Sequence, residues 1–70
     1  MKVSLTDHFA ERMKVLREEK GLTQEKLAEA AKVSLNYVTA LECSRRSPSF
    51  AMVEKIARAM KIDPRQFFAI

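Results

Sequence analysis

One glycine, Gly21, and two prolines, Pro48 and Pro64, are all the turn-forming punctuation this chain carries in 70 residues. That leaves almost no material for β-hairpins or long irregular loops. Ala, Leu, Glu, Lys, Arg and Met, all good helix formers, predominate instead. The expected class is all-α.

Apolar spacing divides the chain into short helical segments. Phe9, Met13 and Leu16 share one face of a helix from about Asp7 to Lys20, which Gly21 ends in the left-handed conformation that favours glycine. Thr23 is a good N-cap for a second helix, with Gln24 and Glu25 in its first turn and Leu27, Ala28 and Ala31 as its stripe, ending near Lys32. Ser34 caps a third, whose inward face reads Val38 and Leu41, with Val33 plugging the turn between the two. Cys43 to Ser49 reads as a loop, because Ser and Pro cluster there and the apolar period breaks. Phe50, Val53, Ile56, Ala57 and Met60 then mark a fourth helix from about Ser49. In Asp63-Pro64-Arg65-Gln66 the Asp is an N-cap, the Pro suits the first helical position and the Gln stands where it would reach back. A last turn holding Phe67 and Phe68 would close the core. Isolated helices this short are marginal, so each must be held by packing on the others.

The length fits one domain, residues 1–70. So small a body buries only about 60% of its unfolded surface, and the lone Cys43 cannot form an internal disulfide, so stability must come from core packing. The same lone cysteine favours a reducing, cytoplasmic location. No apolar run approaches the roughly 18 residues of a membrane span, and the N-terminus lacks the apolar stretch of a signal peptide. A Gly-rich phosphate loop, a second His or Cys for a metal site, and a nucleophile with an evident base are all missing from the sequence. The expectation is therefore no enzyme, no metal and no cofactor. The formal charge of +4 suggests a polyanionic partner. It is unevenly spread: residues 1–20 carry +1, 21–42 carry −1 and 43–70 carry +4. An RNA binder would want exposed aromatics for stacking, and the few aromatics here fall mostly on core stripes.

Two short helices joined by a turn of three or four residues, over about 24–43, satisfy the demands of a helix-turn-helix, whose second helix lies in the major groove while the first crosses above it. Ala28 supplies the small residue at the close approach, and Leu27, Ala31, Val33, Val38 and Leu41 fill the inward positions. Ser34, Asn36, Thr39 and Ala40 remain for the outer face, with Leu35 as an apolar exception.

From about Phe9 to Phe68 the chain resembles the Xre/Cro/C1-type helix-turn-helix family of bacterial and phage repressors. The likeness is carried by Leu22-Thr23-Gln24-Glu25-Lys26-Leu27-Ala28, Lys32-Val33-Ser34, Tyr37-Val38, Leu41-Glu42, Pro48-Ser49 and Ile56-Ala57-Arg58-Ala59-Met60-Lys61-Ile62. It implies a compact five-helix, lambda-repressor-like domain that binds double-stranded operator DNA as a homodimer. By the same resemblance, Thr23 and Gln24 contact phosphates, and Gln24 also braces the recognition helix. Ser34, Leu35, Asn36, Thr39 and Ala40 take the base-facing positions, and Tyr37, Arg45 and Arg46 meet the phosphates. Asn36 is the best reader, since its amide suits adenine N6 and N7, whereas Leu35 and the Thr39 methyl suit thymine methyls. Arg17 and Glu42 fall where relatives hold a partly buried salt bridge. The chain departs from the family's common glycines at Lys32, in the turn, and at Ser44, after the recognition helix. A left-handed backbone at either would cost roughly 1 to 2 kcal/mol.

The remaining features have plainer readings. Cys43, beside two arginines, has the setting of a redox switch but reads as a small unreactive residue. His8 has no partner visible in the sequence, and Met13 and Met60 read as core filler. Lys55, Arg58 and Lys61, three apart, read as a solvated face with Glu54 pairing Arg58 rather than as a second DNA-binding face. Phe67, Phe68 and Ile70 are more apolar bulk than one end turn readily buries, so at least one is expected at a dimer interface. The competing function is an antitoxin-type protein-interaction module on the same fold. The preferred reading has no small-molecule ligand and no sensor domain, with regulation by dimer concentration and operator arrangement. Phage repressors and restriction-modification controller proteins are both similar stand-alone proteins, and the sequence does not choose between them.

Overall fold

A computed structural model describes residues 4–69. Four α-helices, α1 (Leu5–Glu19), α2 (Gln24–Ala31), α3 (Leu35–Glu42) and α4 (Phe50–Met60), are followed by a 3-10 turn over Pro64–Phe68. The expected fifth helix is thus a 3-10 turn. Its ladder is short-range: the Gln66 N–H donates to the Asp63 carbonyl at 2.9 Å. Arg65, not Gln66, reaches back, its guanidinium donating to both Asp63 carboxylate oxygens. Those side-chain bonds, with the Arg65 N–H, lower the Asp63 pKa to about 2.

Every element opens on a side-chain cap. Ser4, Thr23, Ser34 and Ser49 accept from the N–H three residues on, and Asp63 from that of Arg65. α1 therefore starts two residues before the expected Asp7, whose N–H goes to Ser4 Oγ at 3.0 Å.

The helix ends also share one design. Gly21, Lys32, Ser44 and Lys61 all have positive φ, between 57° and 69°. After each, the next N–H returns to a carbonyl five residues back: Leu22 to Arg17, Val33 to Ala28, Arg45 to Ala40 and Ile62 to Ala57, at 2.9 to 3.1 Å. This is the Schellman closure, which satisfies carbonyls the helix leaves open. At three of the four ends the closing residue is apolar (Leu22, Val33, Ile62) and packs on the core, and the residue after it is the next cap. Gly21-Leu22-Thr23, Lys32-Val33-Ser34 and Lys61-Ile62-Asp63 are one junction used three times. The fourth places Arg45 where the others have a plug, and there the chain leaves the core.

The core is a single cluster that includes Phe9, Met13, Leu16, Leu27, Val38, Leu41, Val53, Ile56, Met60 and Phe67. α2 packs on both α3 and α4, and α1 packs on α3 and the C-terminal turn. Phe67 sits 4.9 Å, centroid to centroid, from Phe9 and is 0% exposed, so it is a core residue and is closed to a partner. Phe68 is half-buried, 6.0 Å from Phe9, and Ile70 lies outside the described residues. His8 does find a partner, its Nε2 lying 2.7 Å from the Ala69 carbonyl, while Arg12 Nε donates to the Gln66 carbonyl at 3.1 Å. Phe50, assigned by spacing to the inward stripe of α4, is instead 84% exposed at the helix start. Among the described residues no helix is long and apolar enough to cross a membrane.

Candidate nucleic-acid interface

α3 presents two faces. Val38 and Leu41 are fully buried, and the chain between Ser34 and Asn36 is exposed, because Ser34 caps the helix from outside the core. Ser34, Asn36, Tyr37 and Ala40 from α3 and its cap, with Arg45 and Arg46 from the following loop, line one open groove. Six of the residues nominated from the sequence are thereby brought together. Leu35 is 40% exposed, an apolar side chain held at the surface of α3.

The rim of the groove is organised by Tyr37 and Arg46. Tyr37 is half-buried against the core, and the Arg46 guanidinium lies 5.2 Å from its ring centroid, a cation–π distance. Thr6 Oγ1 and Ser47 Oγ, 2.7 Å apart, tie the same loop to α1. Cys43 is exposed beside it.

Behind α3 lies a polar network that spacing alone did not reveal in full. Arg17 Nε donates to Glu42 Oε2 at 2.7 Å and Nη2 to Oε1 at 3.2 Å. The Glu42 side chain is only 3% exposed and that of Arg17 10%. Arg17 Nη1 also donates to the Leu22 carbonyl at 2.6 Å, so one guanidinium holds both the end of α3 and the junction between α1 and α2. Bonding to Glu42 raises the Arg17 pKa, against the opposing effect of burial. The network extends outward: Gln24 Nε2 donates to Glu42 Oε1 at 3.0 Å, and Thr39 Oγ1 donates to Gln24 Oε1 at 3.4 Å. Gln24 is thus hydrogen-bonded to two residues of α3, Thr39 and Glu42. Thr39, nominated as base-facing, turns its hydroxyl to Gln24 and is half-buried. The Thr23 hydroxyl oxygen is engaged as the cap of α2, accepting from the Lys26 N–H at 3.0 Å.

The family profile described as Helix-turn-helix matches residues 13–67. The chain is 40% identical over 52 residues to the immunity repressor protein of Bacillus phage phi105, which covers 74% of this chain and 36% of that protein. It spans about a third of that repressor's length. The solved restriction-modification controller protein C.AhdI from Aeromonas hydrophila is 36% identical, with 90% of this chain and 96% of that chain covered at a TM-score of 0.87. The controller protein C.Esp1396I, solved as a nucleoprotein complex, is 27% identical, with 96% and 87% covered at a TM-score of 0.85.

Proposed function

The chain belongs to the Xre/Cro/C1-type helix-turn-helix family of transcriptional regulators, and from that premise we propose that it binds an inverted-repeat operator as a homodimer, with α3 in the major groove. The observation that carries this reading is the groove itself. It joins the exposed start of α3 to Arg45 and Arg46, so base edges would meet Ser34, Asn36 and Ala40 while the flanking phosphates meet the two guanidinium groups. The nucleoprotein complex of a structural neighbour supports it. Leu35 would add an apolar contact to a thymine methyl. Thr23 and Gln24, at the N-terminus of α2, would meet a phosphate, since N–H groups and the helix dipole there favour an anion. Gln24 would bring to that contact a side chain already fixed by Glu42.

For the second copy, we assign an apolar groove on the far side of the 43–49 loop. Leu5 and Phe50, 67% and 84% exposed, flank it, and Phe9, Val53 and Phe68 floor it. Its wall includes Ser47 and Pro48, directly after Arg46, so a partner seated there would fix the loop that rims the α3 groove. Of the expected Phe67, Phe68 and Ile70, only Phe68 remains as a described, accessible part of this surface. An inverted-repeat operator would require that dimer to hold its two α3 helices about 34 to 36 Å apart, one turn of DNA.

Footprinting on DNA upstream of the protein's own gene at two salt concentrations tests the reading. It expects a protected, two-fold symmetric segment that weakens as salt rises. Protection that is absent, or uniform along the DNA, would contradict it.

A further inference from the structure

The excess positive charge of the C-terminal third is only partly spent on the α3 groove. Lys55 and Arg58 of α4 come together with Lys32, the residue that closes α2, around a depression floored by Ala31 and Ala59, with the exposed Ala30 at its edge. Arg58 and Lys61 are exposed and Lys55 half-buried, as a solvated face would have them, but the expected pairing of Glu54 with Arg58 does not form. The cations in ion pairs among the described residues are Arg17 and Arg65, so Lys32, Lys55 and Arg58 have no carboxylate within 4.0 Å there. The Lys32 backbone is fixed at the edge of the depression: its φ is 59°, and the Val33 N–H closes on the Ala28 carbonyl.

We propose that this depression between α2 and α4 is a docking surface for an acidic helix of a protein partner. The floor is alanine, which lets a helix backbone approach closely. Three cations ring it, and Arg58 brings the planar donor geometry that matches a carboxylate. Charge complementarity defines the occupant, and the apolar floor favours a protein helix over a phosphate backbone, which would gain nothing from it. α2 packs on α3 with one side and on α4 with another, and the depression shares no residue with the α3 groove. The surface therefore stands independently of what α3 binds.

The probe is a capped, fluorescein-labelled Glu- and Ala-rich helical peptide of about 15 residues, with a Gln-for-Glu analogue as control. Binding is read by anisotropy and by amide shifts in the labelled protein. Wild type should bind the acidic peptide and not the analogue, with shifts at Ala30, Ala31 and Ala59. The variant Lys32→Gly/Lys55→Gln/Arg58→Gln should weaken binding about tenfold, as three exposed charge pairs are lost. Arg45→Gln/Arg46→Gln, or added duplex DNA, should leave it unchanged. Thermal melts of both variants establish that they fold, and the amide shifts locate the peptide on wild type without any substitution. Absent binding, binding that survives the triple substitution, or binding displaced by DNA would each overturn the proposal. So would a loss of random-DNA affinity in the triple variant as large as that in Arg45→Gln/Arg46→Gln, since the cations would then serve DNA.

Discussion

Arg17 Nε lies 2.7 Å from Glu42 Oε2, joining the last turn of α1 to the last residue of α3 through a pair that solvent barely reaches. Removing one partner strands the other's charge, a loss of about 3 to 5 kcal/mol. For a domain whose whole stability is of order 5 to 10 kcal/mol, that is a large share. Arg17→Ala should therefore lower the melting temperature sharply, and Arg17→Met/Glu42→Leu should recover part of the loss because no charge is left stranded. A thermal melt checks both, and an unchanged Tm in Arg17→Ala would sink the assignment.

Lys32 and Ser44 hold left-handed backbone, with φ of 59° and 60°. Glycine adopts that conformation without the Cβ clash, so Lys32→Gly and Ser44→Gly should each stabilise the fold by about 1 kcal/mol, less the extra freedom glycine has when unfolded. Denaturant titration reads the difference. A loss of stability in both variants would show that the side chains earn more than the strain they cause.

Phe50 is the most exposed large apolar side chain among the described residues. If it seats a second copy, Phe50→Glu should produce a monomer at concentrations where wild type is a dimer, with a Tm matching that of wild type diluted to monomer, because the side chain has almost no contact to lose within its own fold. Sedimentation equilibrium decides it. Wild type that is monomeric both free and on DNA would remove the homodimer.

Asn36 and Arg46 line one groove but should fail differently. Asn36→Ala should cost about 1 to 3 kcal/mol on operator DNA per contact and relax one base position. Arg46→Ala should weaken operator and random DNA alike and flatten the salt slope. Titrations on both DNAs at several salt concentrations separate the two. An equal loss on both DNAs for Asn36→Ala would exclude it as a reader.

Much of this organisation is legible in the residues, and what is not has identifiable causes. Thr23, Ser34 and Ser49 announce helix starts because a short hydroxyl side chain has few better uses at those places. The junctions at Lys32 and Lys61 are harder to see. Their left-handed backbone carries no glycine, and only the plug-and-cap pairs Val33-Ser34 and Ile62-Asp63 betray them. Phe50 follows the apolar period of α4 yet faces out, since a first-turn residue has no preceding helical turn to pack beside it. The Thr39 to Gln24 contact and the unpaired cations at Lys32, Lys55 and Arg58 depend on how α2 meets α3 and α4, and that geometry is not local to any segment.

The claim that α3 reads DNA as half of a symmetric pair is tested most directly by selection from a pool of randomised duplexes. Wild type should enrich an inverted repeat with half-site centres about 10 to 10.5 base pairs apart, and Asn36→Ala should lose preference at one symmetry-related pair of positions. Enrichment of no sequence, or of a single unrepeated motif, would contradict it.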